Sequence, residues 1–256
     1  MFICGVPSFE ASNIDEAWEH WFGLITKEAG SAESRDGAVV GEVLNAVTTI
    51  VDPTRCILKS KIRKLPMRYA VGELLWYMSG NPALDAIRLY TGAWDRMSDN
   101  GVTVNSNYGD RIQKATCEYS RETFNQLKMV EDILRKDPSS RQAVIHIKQA
   151  RNLLKYPSKD VNCTVCLQFF VRENKLYMTT YMRSNDLWMG FPNDIFQFTA
   201  IQVYLAMRLG YNLGSYTHIA GSLHLYDRDY QVALKNIKEN ADSIVDGEPA
   251  IRKRGR

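Results

Sequence analysis

A chain of 256 residues that is 45% hydrophobic, 11% aromatic and 24% charged has the usage of an ordinary globular protein. This excludes a disordered chain, a fibrous repeat and a disulfide-stapled miniprotein. The formal charge of +3 belongs to the tail. Arg252, Lys253, Arg254 and Arg256 are four of the 32 basic residues, and without them 28 basic residues face 29 acidic ones, so the body is no polycation built for nucleic acid.

No repeat, low-complexity tract or Gly/Ser linker divides the chain. One domain over 1–256 is expected, with a basic tail at 252–256. No run reaches the ~18 apolar residues of a membrane span, and MFICGVPSFE lacks the basic start of a signal peptide. Cys4, Cys56, Cys117, Cys163 and Cys166 are odd in number and irregular in spacing. They read as free thiols, so a cytoplasmic protein is expected.

In chain order, residues 13–29 place Ile14, Trp18, Trp21, Leu24 and Ile25 on one helical face, with Asn13 as N-cap. Residues 38–51 are β-rich. Residues 66–78 read as a helix with a first-turn proline that ends before Ser79-Gly80-Asn81-Pro82. A helix is expected over Arg121–Lys136, stopped by Asp137-Pro138. Strands are expected at 143–147, 165–171 and 176–182, with a hairpin turn at Glu173-Asn174. After Pro192 an apolar helix runs to a Gly210 cap, a short strand YTHIAGSLHLY follows, and a final helix covers about 228–240. Helices interspersed with a largely antiparallel strand set predict an α+β fold.

Cys163 and Cys166 form a C-x-x-C. In a strand, positions three apart face opposite ways, which argues against chelation or disulfide exchange, and no metal is expected. A single nucleophilic thiol remains open beside a plain buried cysteine. The segment 182–194, MRSNDLWMGFPND, gathers Arg183, Ser184, Asn185, Asp186, Asn193 and Asp194 around a turn that opens a helix. A guanidinium fork beside a hydroxyl suits a phosphate, and a helix start adds backbone N–H groups.

These segments resemble the thymidylate synthase family along nearly the whole chain. The matching motifs are GELLWYM (72–78), AWDRM (93–97), NYGDR (107–111), DPSSRQ (137–142), CTVCLQF (163–169), RSNDLWMGFPND (183–194) and GSLHLY (221–226). The resemblance implies a large, mostly antiparallel sheet flanked by helices and a homodimer packed through the sheet. It implies a pyrimidine nucleoside monophosphate as substrate and 5,10-methylenetetrahydrofolate as co-substrate. It makes Cys163 the nucleophile, five positions before Gln168, and Glu73 the carboxylate that organises water and protons. Tyr108 then stands beside the thiol. Arg183, Ser184, Arg35 and, from the partner subunit, Arg141 become the phosphate ligands. Asn185 is grouped with the substrate, His224 and Tyr226 with the deoxyribose 3′-hydroxyl, and Trp94 and Asp186 with the folate.

Departures from the family pattern narrow the expectation. Asp194 stands where uracil-directed relatives carry Asn. A carboxyl suits the cytosine edge when it shares a proton with N3, whereas an amide suits uracil on both edges. Thr164 follows the cysteine where synthases carry His, and only 32 residues follow His224, which fits a reaction that admits water. Gln142 replaces a second arginine of the phosphate cluster. The branch most resembled is the deoxycytidylate (dCMP) hydroxymethylases: thiolate addition at C6, one-carbon transfer to C5, then water. The alternatives are a methylating or CMP-directed variant, a dUMP-directed synthase, and a non-catalytic nucleic-acid-binding relative. No stable nucleic-acid or membrane partner is expected.

Overall fold

The computed structural model describes residues 6–28, 30–33, 37–117, 120–149, 158 and 160–245, with side chains to Glu239. Arg35, Arg151 and the basic tail lie outside the described residues. The elements in order are β1 (Ser8–Ala11), α1 (Ile14–Lys27), β2 (Gly30–Glu33), β3 (Val39–Ile50), α2 (Met67–Ser79), α3 (Leu84–Arg88), α4 (Ala93–Met97), α5 (Tyr108–Gln113) and β4 (Ala115–Thr116). They continue with β5 (Thr123–Phe124), α6 (Gln126–Lys136), β6 (Val144–His146), β7 (Thr164–Arg172), β8 (Lys175–Met182), β9 (Asn185–Asp186), α7 (Gly190–Leu209), β10 (Asn212–Tyr226) and α8 (Asp227–Val245).

Eight strands form the main sheet in the order β1-β3-β10-β8-β7-β6, with β2 paired to β3 and β9 to β10. The sheet is mixed, with the antiparallel pairings in the majority as expected. β1 runs parallel to β3, and β10 runs parallel to both β8 and β9. The cause is α7, which carries the chain back across the sheet between β8 and β10, as a parallel pairing requires. By contrast β7 and β8 are antiparallel neighbours. Their turn residues Glu173 and Asn174 both adopt positive φ, 49° and 56°, the pattern of a two-residue primed turn.

Sequence chemistry explains the element ends. The Asn13 side chain accepts the Glu16 N–H at 3.1 Å and starts α1. That helix buries Ile14, Trp18, Trp21 and Ile25 at helical spacing. Gly80 and Gly210 stop α2 and α7 in the left-handed conformation. The expected helix from Arg121 begins later. Arg121 has φ 61°, Thr123–Phe124 pairs with Ala115–Thr116, and the Asn125 side chain caps at the Lys128 N–H. α7 begins before Pro192, which sits in the first turn where its missing N–H has no helical partner to lose. β10 is fifteen residues long rather than short, because it crosses the sheet beside β3, β8 and β9 in turn.

α7 is the central helix. Phe191, Ile195, Phe198, Ile201 and Leu205 are all buried, each contributing about 1.5–3 kcal/mol by removal from water. Gln202 pins the helix to the sheet by donating to the carbonyls of Leu176 and Gly214. α1 is tied in by Trp18, whose indole N–H donates to the Leu187 carbonyl at 3.0 Å. These anchors hold the first turn of α7 and the segment before it, 183–189, against the sheet end. None of the described helices is long and apolar enough to cross a membrane.

Candidate active site

The antiparallel register of β7 and β8 sets Thr164 against Met182. Cys163 and Arg183 therefore leave the two strands side by side, and the Arg183 N–H donates to the Cys163 carbonyl at 2.9 Å. The Arg183 guanidinium is held by the carbonyls of Asn162 (3.0 Å) and Val161 (3.2 Å), and its Nη2 lies 3.6 Å from Cys163 Sγ. Cys163 packs on the core side of the sheet. Leu167, Phe169 and Val171 face the core, which leaves Cys166 on the opposite face, opposite exposed Tyr181. Among the described residues, no group of three or more His, Cys, Asp or Glu side chains is placed to hold a metal.

Burial dominates the thiol and lifts it above its ordinary value. Arg183 and Lys148 pull it down, while Asp194 and Asp186 push it up. Tyr108, at the start of α5, accepts the Thr164 N–H at 3.4 Å. Its hydroxyl is raised well above the usual range, first by burial, then by the charges of Asp194 and Cys163.

Asp194 is the fifth residue of α7, at the start of its second turn, and accepts the Asn185 side-chain N–H at 2.8 Å. Part of Asp194 opens to the cleft, but protein surrounds the carboxyl. Burial, followed by the Glu73 charge, lifts it well above the usual carboxylate range against the Asn185 hydrogen bond. Glu73, in the middle of α2, is 4% exposed. Its Oε1 accepts from Tyr69 (2.7 Å) and Tyr77 (3.2 Å), and its Oε2 from Gln197 (3.2 Å). Burial outweighs these donors and raises Glu73 to about 7. A thiol, an acid raised well above its usual range and a carboxyl poised near neutrality are thus close enough to shift one another, Asp194 acting on Cys163 and Glu73 on Asp194, the pattern of a site that moves protons during covalent catalysis.

Comparison with known proteins places this geometry. The family model described as "Thymidylate synthase" matches residues 19–246. The chain belongs to the thymidylate synthase family. It is 29% identical over 229 residues to the deoxyuridylate hydroxymethyltransferase of Bacillus phage SP01, a match covering 87% of this chain and 60% of that protein. It is also 29% identical over 169 residues to the thymidylate synthase of Bacillus atrophaeus, covering 65% and 73%, and 28% over 169 residues to that of Bacillus phage phi3T, covering 65% and 60%. The match therefore spans about three-fifths of the phage SP01 protein's length.

Within this thymidylate synthase fold, the other expected site residues divide into two groups. β9 pairs with β10 so that Asp186 lies beside His224, and the Leu187 N–H donates to the His224 carbonyl. The His224 ring is 9% exposed and meets Tyr226 edge-on at 5.2 Å. Asp186 Oδ1 accepts the N–H groups of Trp188 and Met189. Trp94 is half-buried against Trp76 at 5.5 Å, its indole N–H donating to Tyr69. Ser184 follows Arg183 in the strand-end segment. Asn185 is 2% exposed, with its amide engaged by Asp194 and His218.

Arg141 stands apart. It is exposed, precedes β6, and its carbonyl accepts from Gln168. That contact sets it beside Gln168, five residues or about 16 Å along β7 from Cys163. One chain does not bring it to Arg183.

Sequence reasoning missed Tyr69, Tyr77, Gln197 and the pair Tyr216–His218. Tyr69 and Tyr77 lie four residues either side of Glu73, a helical spacing that would have exposed them. His218 carried no comparable signal.

Proposed function

We propose that this protein hydroxymethylates C5 of dCMP, using 5,10-methylenetetrahydrofolate as one-carbon donor and water as the final nucleophile. The observation carrying this reading is Asp194, a carboxyl held by Asn185, pushed by burial toward its neutral form and near enough to Cys163 for its charge to raise the thiol. Addition of the Cys163 sulfur to C6 of cytosine drives electrons through C5–C4 onto N3. A neutral acid at that edge gives N3 its proton as charge develops and accepts from the N4 amino group. Arg183, fixed by two backbone carbonyls, steadies the thiolate and is placed to hold the phosphate.

Glu73, near 7, takes a proton at neutral pH from the water that adds to the exocyclic carbon; as Cys163 leaves C6 the sulfur regains a proton, and N3 returns its own to Asp194. When Cys163 leaves C6, the C5–C6 double bond re-forms. The folate, when bound, supplies the one-carbon unit. Trp94, half-buried and with open ring surface, and Asp186, at the cleft edge, fit a planar pterin that bears hydrogen-bond donors. We further propose a cytoplasmic homodimer joined through the outer sheet face, in which the partner subunit supplies Arg141. The distance of Arg141 from Cys163 within one chain and the exposed Tyr181 and Leu44 of that face support this.

A second reading keeps the chemistry and changes the base. The phage SP01 relative is named as a deoxyuridylate hydroxymethyltransferase, which favours dUMP. Tritium release from C5-labelled dCMP and dUMP separates the two, because it reports addition and proton loss whatever follows. The mass of the product then distinguishes a hydroxymethyl from a methyl gain. Release from dCMP with a hydroxymethyl product is expected. Release from dUMP alone overturns the cytosine assignment.

A further inference from the structure

A line of buried hydrogen bonds runs from the sheet into the site. Tyr216 Oη lies 2.8 Å from His218 Nδ1, His218 Nε2 lies 3.0 Å from Asn185 Oδ1, and Asn185 Nδ2 lies 2.8 Å from Asp194 Oδ2. Tyr216 and His218 are fully buried and Asn185 is 2% exposed. The closeness of the last contact depends on Gly190, where a Cβ would stand 2.8 Å from Asn185 Nδ2 and 3.1 Å from Asp194 Oδ2. Phe191 holds the imidazole edge-on at 5.4 Å. None of the reaction steps above uses His218 or Tyr216.

We propose that His218 is a positioning residue which, through Asn185, fixes the oxygen of Asp194 that carries the proton and so sets the choice between pyrimidines. The assignment to cytosine rests on the dCMP reading above. A buried neutral imidazole has one donor and one acceptor, and burial holds His218 neutral, at about 3. Asn185 turns its oxygen to His218, so Nε2 carries the hydrogen and Nδ1 accepts from Tyr216. Each link then donates toward Asp194. Oδ2 receives the Asn185 N–H and stays an acceptor, which leaves the acid proton on Oδ1.

With N3 set against Oδ1, this acid donates to N3 of cytosine and accepts from N4. Uracil presents the inverse edge. Reading it would require the proton on Oδ2, which makes the oxygen that receives the Asn185 N–H a hydroxyl, a weaker acceptor than the carbonyl-type oxygen it replaces. If the His218 donor is removed, Asn185 can turn over and its oxygen can accept an Oδ2 proton, which leaves Oδ1 as a bare acceptor for uracil N3–H and weakens the discrimination against uracil.

The test is kcat/KM for dCMP and for dUMP in the full chain, wild type, His218→Phe and Tyr216→Phe. Phenylalanine keeps a ring against Phe191 without a donor. Tyr216→Phe is the gentler change, freeing Nδ1 and loosening the tautomer. The dCMP-to-dUMP ratio is expected to fall about tenfold in His218→Phe and a few-fold in Tyr216→Phe, with dUMP turnover rising in absolute terms. A purely structural role would lower both nucleotides in parallel, and an unchanged ratio in both variants overturns the proposal. If His218→Phe does not fold, Tyr216→Phe decides alone. A wild type that prefers dUMP overturns the cytosine reading but not the relay, which opposes uracil and still requires dUMP turnover to rise relative to dCMP in both variants.

Discussion

Asp194→Asn is the sharpest test of the proposed base choice. The substitution keeps the size of the side chain, whose carboxyl now accepts the Asn185 N–H at 2.8 Å, but it removes the acidic proton and lets the amide turn its oxygen to the base. Against cytosine, the amide can still touch N3 and N4, yet it cannot hand N3 a proton as Cys163 adds to C6. Against uracil, it offers an acceptor for N3–H and a donor for O4, where the developing charge collects. One mispaired buried polar group costs about 1–3 kcal/mol, or roughly one to two orders of magnitude in relative kcat/KM. For dCMP the loss falls mainly in kcat, because the interaction strengthens only as charge develops. The assay is steady-state kinetics on both nucleotides with both proteins, alongside tritium release from C5. A wild type that already favours dUMP, or a variant with its dCMP preference intact, refutes the reasoning and leaves Asp194 as a hydrogen-bond partner of Asn185.

Cys163→Ser should abolish C5 proton exchange while nucleotide binding stays within a few-fold of wild type, as an alcohol is far less nucleophilic at nearly the same size. Cys166→Ser should be close to neutral, since Cys166 lies on the outer sheet face; loss of exchange there would mean the wrong thiol had been assigned. Mixing inactive Arg141→Ala with inactive Cys163→Ser should restore part of the activity, because a heterodimer holds one site with both residues intact. No recovery after verified subunit exchange would count against donation across the dimer. Glu73→Gln should abolish turnover and flatten the pH dependence of stability. Glu73 is raised from 4.5 to about 7, so its contribution is full below about pH 4.5 and is lost as pH rises through 7, a change of about 3 kcal/mol. Urea midpoints at about pH 5 and pH 8 check this; an equally steep fall in the variant would place the titration elsewhere.

Elements governed by local chemistry were legible in the sequence. The Asn13 cap, the Gly80 and Gly210 stops and the Glu173-Asn174 turn each depend on one or two residues, and the structure places them as expected. The start of α6 was not legible. Its apolar periodicity extends back past Asn125, and only pairing with Ala115–Thr116 pulls Thr123–Phe124 into a strand. The parallel strands were also hidden, because strand direction is set by where α7 returns the chain and not by residues within β10. In the site, Cys163, Arg183 and Asp194 cluster in two short segments and were visible together. The relay was not, since Asn185 and His218 are 33 residues apart and meet only through the β8–β10 and β9–β10 pairings.

Positive charge beside the thiol does not decide its ionisation. Arg183 does approach Cys163, but burial wins and the thiol is raised, as are Asp194, Glu73 and Tyr108. The protein alone therefore shifts each of these groups toward its neutral form. That state matches the proposed chemistry on cytosine. The thiol gives up a proton, Asp194 gives one to N3, and the proton released by sulfur can restore the acid. The whole addition thus moves one proton from sulfur to nitrogen without creating a net charge in a desolvated site, where an unpaired charge is expensive. Addition to uracil has no acceptor of that kind at N3, since N3 already carries a hydrogen. Charge then stays on the O4 side and needs a standing donor there, which an amide supplies at any pH and an acid only while its proton points that way. Asp194 in place of Asn and the raised thiol are, on this argument, two parts of one solution: a site that adds sulfur to a base whose ring nitrogen can take the proton.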